Sequence, residues 1–196
     1  MIMLAWFLVA CLGDRSVTHQ PSVAVPAEEL LRDGMLIFRK GEGVAAGAVH
    51  IAQAGGTWTH VGVVTAMDGH ASVVHAVPAE RPEGTDGVVE DPFAFFVDPA
   101  RASVLGLYEV TSASATARAE AVERARARIG APFGIASAQS PDALTCTDLV
   151  LVAWGDLPAG ERLDPPRHTF PTMSGTYVLP DDLADDGVIR RVWPPP

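Results

Sequence analysis

The sequence is poor in cysteine, in basic residues and in long apolar runs. Its 196 residues include two cysteines, Cys11 and Cys146, which excludes a disulfide-dense scaffold. Lys and Arg number 14 against 24 Asp and Glu, giving a formal net charge of −10. Nucleic-acid binding needs clustered Lys and Arg, so we expect no nucleic-acid partner. The sequence has no Gly/Ser tract, repeat or coiled-coil heptad, and its length suits one domain with its own core.

One apolar run lies at the N-terminus, MIMLAWFLVA, directly before Cys11. It is too short to cross a hydrocarbon layer of ~30 Å as a helix, and it falls in the range of about 7–15 residues of a secretory h-region. The stretch LVAC at its end resembles a bacterial lipobox. The resemblance implies a signal peptide over residues 1–10, acylation of Cys11 and a lipid anchor in the membrane of the bacterial cell envelope.

The same segment leaves one alternative open. It contains no Lys or Arg before the apolar run, and a buried N-terminal strand or helix is the other interpretation. Residues 11–27 are polar and contain proline, which predicts a tether leading to a folded domain over residues 28–196. Two cysteines in an exported protein could pair, but a lipid on the sulfur of Cys11 would leave Cys146 as a free thiol.

The remaining sequence predicts strands and helices that are segregated along the chain. DGMLIFRK (33–40) is a turn and strand, 43–56 has helical spacing, and two β-branched strands flank the turn at Asp68-Gly69. Another strand (103–110), a helix (114–130), a second helix that Ser140 to Asp142 can start, and a last strand (187–193) follow. This order predicts an α+β fold with a mainly antiparallel sheet and a buried helix that bears Cys146.

Cys146 stands in the stretch TCTDLVLVAW, where polar residues give way to an apolar run. We expect it in the first turn of the buried helix, where the partial positive charge of the helix N-terminus favours the thiolate. Flanking Thr145, Thr147 and Asp148 would keep this turn polar and facing a cleft. The alternative is a buried structural cysteine that behaves as a small hydrophobe.

A nucleophilic thiol needs a base, and two of the six histidines are candidates. His60 opens the strand HVGVVTA, and His75 lies within SVVHAV, so the two rings would approach each other if these strands pair through the Asp68-Gly69 turn. A structural role for His75 as a hydrogen-bonded core histidine stays open. The places of the other four histidines in the sequence predict that their side chains face solvent. These four are His19, His50, His70 and His168.

Six segments together resemble a known family. DGMLIFR, TWTHVGVV, VVHAVP, GVVEDPFAFF, GAPFG and TCTDLVLVAW follow the order of the permuted NlpC-type cysteine hydrolases, which are papain-like domains of the YiiX kind with lecithin retinol acyltransferase as a distant relative. The resemblance covers about residues 33–183. It implies a circularly permuted papain-like (NlpC-type) domain in which an antiparallel sheet packs against the Cys-bearing helix.

The resemblance also implies roles for three residues. Cys146 matches the nucleophile, His60 the base and His75 the third member that orients the base, where other members carry a carboxylate. Such a site would cleave or transfer at an amide or ester bond of a cell-wall peptide or a lipid, with no metal or organic cofactor. Two other hypotheses stay open: a zinc site built from Cys146, His60 and His75, and a non-catalytic, membrane-tethered binding module. The segment 79–92 is predicted to be an acidic loop, and its residues indicate no particular ligand.

Overall fold

The structure is a computed structural model, and it describes residues 23–41, 46–47, 49, 52–67, 69–78, 86–134, 142–155, 162–171 and 175–196. The proposed signal peptide, Cys11 and most of the predicted tether lie outside these residues. Of the tether's last residues, Val23 packs against the core and Pro26 is buried. Among the described residues, no helix combines the length and apolarity needed to cross a membrane.

Six strands form one antiparallel sheet in the order β4-β3-β2-β1-β5-β6. The strands are β1 (Leu36–Gly41), β2 (His60–Met67), β3 (His70–Val77), β4 (Gly87–Pro92), β5 (Ala102–Val110) and β6 (Ile189–Trp193). The predicted hairpin is confirmed as β2–β3, with Gly69 at φ 77° in its turn. β4 corrects the prediction of a loop over 79–92, because residues 87–92 pair along β3.

Four α-helices are described in full: α1 (Phe93–Phe96), α2 (Ala115–Arg126), α3 (Cys146–Trp154) and α4 (Pro180–Ala184), and a 3₁₀ turn spans Glu28–Leu30. Ser114 caps α2 by accepting a hydrogen bond from the Ala117 backbone N–H. α2 ends at Arg126, short of the predicted end at residue 130, and Ile129 beyond it is 47% exposed. Ala46, Gly47, Val49 and Ala52 are helical, in agreement with the predicted helix over 43–56.

Each face of the sheet is covered by its own hydrophobic cluster, because side chains alternate along a strand. The helix-side cluster joins strand residues such as Val61 and Val63 to α2 and α3 through Ala121, Leu149 and Val150. The far-side cluster, on the other face, is closed by α1 and by Leu31 and Met35; its members are Leu31, Met35, Ile37, Val64, Val73, Phe93, Phe96, Val97, Ala102, Leu105 and Leu107. The α+β class with an antiparallel sheet is therefore confirmed.

Candidate active site

Cys146 is the first residue of α3, as expected for a thiol in the first turn. The helix begins at Cys146 and not at Asp142, because Thr145 supplies the cap, and Ser140 and Pro141 lie outside the described residues. Its hydroxyl accepts the Asp148 backbone N–H at 3.1 Å, and the Asp148 carboxylate accepts the Thr145 backbone N–H at 3.1 Å. This capping box satisfies two N–H groups and fixes the backbone around Cys146. Thr147, expected to face a cleft, is buried and donates to the Val178 carbonyl at 2.9 Å.

The thiol of Cys146 is a poorer acid than its helix position suggests. Burial raises its pKa to about 11, and the nearby charge of Asp148 acts in the same direction. The backbone N–H groups of Val61, Thr147 and Cys146 itself point at the sulfur and oppose the shift, but they are outweighed. The expectation that the helix N-terminus favours thiolate is therefore wrong in its net direction, because the cost of burying a charge is larger.

His60 and His75 meet across the hairpin, as the sequence predicted. Val63 pairs with Val74, and continuing that register by one residue places His75 opposite Gly62, two positions from His60 on the same face. Nε2 of His60 lies 2.9 Å from Nδ1 of His75, a hydrogen bond between the rings. Gly62 leaves room for this approach, since a Cβ there would overlap the side chain of Val73 and lie 3.1 Å from Cβ of His75.

The ring of His60 stacks on Phe96, with centroids 5.6 Å apart and planes at 27°. Arg39 on β1 is the strand partner of His60 on β2. Its guanidinium carbon lies 4.5 Å from the centroid of the Phe96 ring, and its Nη1 donates to the Phe96 carbonyl at 3.1 Å. The pKa of His60 is lowered well below 6.5, first by burial, then by the charge of Arg39 and then by His75. His60 is thus a neutral imidazole at neutral pH.

Asp91 is a member of this group that the sequence analysis missed. Its Oδ2 lies 3.3 Å from Nε2 of His75, a slightly long hydrogen bond that extends the chain to His60–His75–Asp91. His75 is completely buried, and the Asp91 side chain is 14% exposed. The signal was present in the strand pattern, because Val73 pairs with Asp91 and His75 with Val89, which puts Asp91 on the face of the two histidines.

Cys146 packs against the helix-side cluster, where the backbone N–H of Val61 approaches its sulfur. Val61 follows His60 in β2, whose ring stacks on Phe96 of the far-side cluster. The described hydrogen bonds of the His60 ring go to His75, and none goes to the sulfur. Nε2 of His60 is occupied, which leaves Nδ1 as the nitrogen that can serve the thiol. Bonds between a catalytic base and its nucleophile are often long before substrate binds.

Of the other histidines, the structure describes His70 and His168. His70 is exposed at the hairpin turn, as expected. His168 is held by Asp182, with Nε2 to Oδ2 at 2.8 Å, and its side chain is 39% exposed. His19 and His50 lie outside the described residues.

Comparison with known proteins bears on the fold. No family model and no curated protein matches the chain. Among solved structures, the chain is similar to the metalloprotein YiiX from Escherichia coli O157:H7, with a TM-score of 0.67 and 16% identity over 82% of this chain and 96% of that one. The chain has a YiiX-like fold. At this identity the likeness to YiiX concerns the path of the chain and assigns no role to Cys146, His60 or His75.

Proposed function

We propose that the protein is a thiol-dependent hydrolase or acyltransferase that acts on an amide or ester bond. The observation that carries the proposal is the 2.9 Å hydrogen bond between His60 and His75, which holds an imidazole at the strand end where the sulfur of Cys146 lies. The proposal pairs a neutral, half-buried imidazole on β2 with a thiol on the first turn of a helix, whose sulfur is approached by the backbone N–H that follows His60. A base and a thiol nucleophile are the two groups that such a reaction needs. It also agrees with a permuted papain-like version of the YiiX-like fold.

The chemistry follows from the two pKa directions. A thiol of raised pKa and an imidazole of lowered pKa both rest neutral, so the proton moves only as attack occurs. Nδ1 of His60 takes the proton from Sγ while Sγ bonds to the carbonyl carbon, and the Cys146 backbone N–H stabilises the oxyanion. The imidazolium then protonates the leaving amine or alcohol as the thioester forms. Water or another acceptor then gives a proton to Nδ1 and attacks the thioester carbonyl carbon. The C–S bond breaks, the carboxylic acid or the acylated acceptor leaves, and Nδ1 returns the proton to Sγ.

A metal centre is the alternative, because YiiX is a metalloprotein and Cys146, His60 and His75 are all possible zinc ligands. The described residues include no group of three His, Cys, Asp or Glu side chains that could hold a metal ion. His60 and His75 are instead hydrogen-bonded to each other, which directs their facing lone pair and proton at one another. The described residues therefore do not fit a metal centre, and no step of the proposed reaction passes through one.

The proposed substrates come from the proposed location. A domain held to the bacterial cell envelope by a lipid on Cys11 would meet cell-wall peptides, lipopeptides and membrane lipids. We take a peptide amide or a lipid ester as the two substrate classes to compare.

Acylation of Cys146 tests the proposal directly. The protein is mixed with p-nitrophenyl acetate at neutral pH, release of p-nitrophenol is followed, and the acylated residue is located by mass spectrometry. We expect rapid acetylation of Cys146, none in Cys146→Ala, and a rate lower by about 10²- to 10⁴-fold in His60→Ala, because a general base contributes that much. His70→Ala, an exposed histidine of the same hairpin, is the matched control and should react like the wild type.

The rival hypothesis is a non-catalytic binding module. It is favoured by one observation, the raised pKa of Cys146, which makes an unassisted thiol here slower than an ordinary one. If acetylation of Cys146 is slow and equal in wild type and His60→Ala, the hydrolase proposal is wrong and the module hypothesis takes its place.

A further inference from the structure

Asp91 lies two hydrogen bonds from His60, through the ring of His75. We infer that Asp91 is the positioning residue that sets the proton arrangement of both histidines and so turns Nδ1 of His60 into the base. This inference rests on the proposed function, and it assigns the carboxylate that the resemblance had placed directly beside the base. Here the carboxylate stands one ring further away.

The proton positions follow from which atoms can donate a hydrogen bond. An ionised carboxylate only accepts hydrogen bonds, so Asp91 requires a proton on Nε2 of His75. A neutral imidazole carries one N–H, and Nδ1 of His75 is then a bare acceptor. The hydrogen bond of 2.9 Å between the rings therefore requires the proton to be on Nε2 of His60. The second nitrogen of His60, Nδ1, is left with its lone pair and can take a proton from Cys146.

Burial makes this arrangement the favoured one. His75 is completely buried, and an imidazole there must satisfy both nitrogens inside the protein. Reversing the direction of these hydrogen bonds would put the proton of His75 on Nδ1. Its bare Nε2 would then face the Asp91 carboxylate, and two lone pairs would oppose each other. The carboxylate thus excludes the reversed arrangement, in which Nδ1 of His60 would carry a proton and could not act as a base.

The strands fix the three groups in this order. His75 sits on β3, with β2 carrying His60 on one side and β4 carrying Asp91 on the other. The Phe96 ring packs edge-on against His75, with centroids 5.1 Å apart, and it stacks on His60. Phe96 follows Asp91 by five residues on α1, so one short segment supplies both the carboxylate and the ring that holds the imidazoles in place.

The test reads the proton positions themselves. Nitrogen chemical shifts of ¹⁵N-labelled histidine in the full chain, taken at neutral pH, distinguish N–H from bare nitrogen. In the wild type we expect Nε2–H on both His60 and His75. In Asp91→Ala we expect a mixture of the two tautomers at His60, and acetylation of Cys146 slower by about 10- to 100-fold, less than the roughly 10⁴-fold cost of altering a carboxylate that touches its base directly. Asp91→Glu should restore part of the rate.

Glu90→Gln is the control, because it removes a carboxylate from the adjacent position on the opposite face of β4, where Glu90 binds Arg126. It should leave both histidine tautomers unchanged. The inference is overturned if wild-type His60 carries its proton on Nδ1, if His75 carries both protons, or if Asp91→Ala changes neither the tautomers nor the acetylation rate. The wild-type spectrum decides the first two outcomes even if a variant fails to fold. Absent acetylation with the expected tautomers would reject the proposed function and not the proton arrangement.

Discussion

Arg39 shows how one residue can set the working pH range of the site. It is a buried cation, 3% exposed, whose charge helps to lower the pKa of His60. A base with a lowered pKa stays neutral at acid pH, so acetylation of Cys146 should keep its rate well below pH 6.5. Arg39→Met keeps much of the side-chain volume and removes the charge, so the pKa of His60 should rise. The acid limb of the profile, where the acetylation rate falls as the pH is lowered, should then move to higher pH. A pH profile of acetylation in the two proteins measures this.

Lys40→Met removes a charge from the next position of β1 and serves as the control for that profile. Its acid limb should coincide with that of the wild type. Arg39 also donates to the Phe96 carbonyl, so Arg39→Met should lower the free energy of unfolding by about 1–3 kcal/mol, which urea denaturation records separately. An acid limb that stays in place, or moves to lower pH, in Arg39→Met would contradict the electrostatic role of this arginine.

At the scale of elements, neighbouring residues of β4 serve opposite faces of the sheet. Asp91 faces His75, whereas Glu90 faces α2 and accepts two hydrogen bonds from Arg126 at 2.7 and 3.0 Å. This bond to Arg126 lowers the pKa of Glu90 from 4.5 to about 2, despite a burial effect that raises it, and Ser72 and Thr65 add to the lowering. The edge strand that carries Asp91 is therefore tied to a helix on the other side of the sheet.

The Glu90–Arg126 pair makes a pH-dependent contribution to stability. The pKa of Glu90 is lower in the folded state than in the unfolded chain, so the contribution is present above about pH 4.5 and is lost as pH falls toward 2. Glu90→Gln should reduce the free energy of unfolding by about 1 kcal/mol at pH 6, and the difference from wild type should narrow at pH 3. Urea denaturation at both pH values tests this.

Glu120→Gln, on an exposed side chain of α2, is the control and should differ little from wild type at either pH. If Glu90→Gln lowers the free energy of unfolding by the same amount at pH 6 and pH 3, the linkage to the pKa of Glu90 is refuted.

The sequence predicted elements best where a local pattern and the tertiary fold agree. Alternating apolar residues around Asp68-Gly69 predicted the hairpin, and with it the approach of His60 to His75. β4 was missed because the Pro, Gly and Glu residues before it resemble a loop, and only pairing with β3 makes a strand of residues 87–92. Asp91 was missed for the same reason, because it lies on β4.

Two features of the Cys-bearing helix show the same limit. The start of α3 was readable in principle, since Thr145 and Asp148 have the spacing of a capping box. The direction of the pKa shift of Cys146 was not, because burial depends on what packs over the thiol. A helix N-terminus can be located in a sequence, but the competing desolvation cost comes from the tertiary structure.

At the scale of the whole molecule, the C-terminal region of the chain holds the entrance to β2. Asp181, on α4, accepts the backbone N–H groups of Thr57 at 3.1 Å and Trp58 at 3.2 Å. Gln53 donates to the Trp58 carbonyl at 2.6 Å and accepts the Asp181 backbone N–H at 3.0 Å. We call the hydrogen bonds among Gln53, Thr57, Trp58 and Asp181 the clasp. The bonds from Thr57 and Trp58 to Asp181 join parts of the chain more than 120 residues apart. They lie just before His60, which follows Trp58 by two residues.

Removing this clasp should affect both stability and the site. Asp181→Ala leaves the N–H groups of Thr57 and Trp58 without their acceptor, so the free energy of unfolding should fall by about 1–2 kcal/mol. The strand end would also be held less firmly, and a base displaced by even about 1 Å can cost up to about 100-fold in rate; acetylation of Cys146 should therefore slow while the protein remains folded. Asp185→Ala, an exposed carboxylate that follows the same helix, should change neither quantity. If Asp181→Ala lost stability but kept the full acetylation rate, the clasp would brace the fold without positioning His60, and the rigidity of the base would have to come from Phe96 and His75 alone.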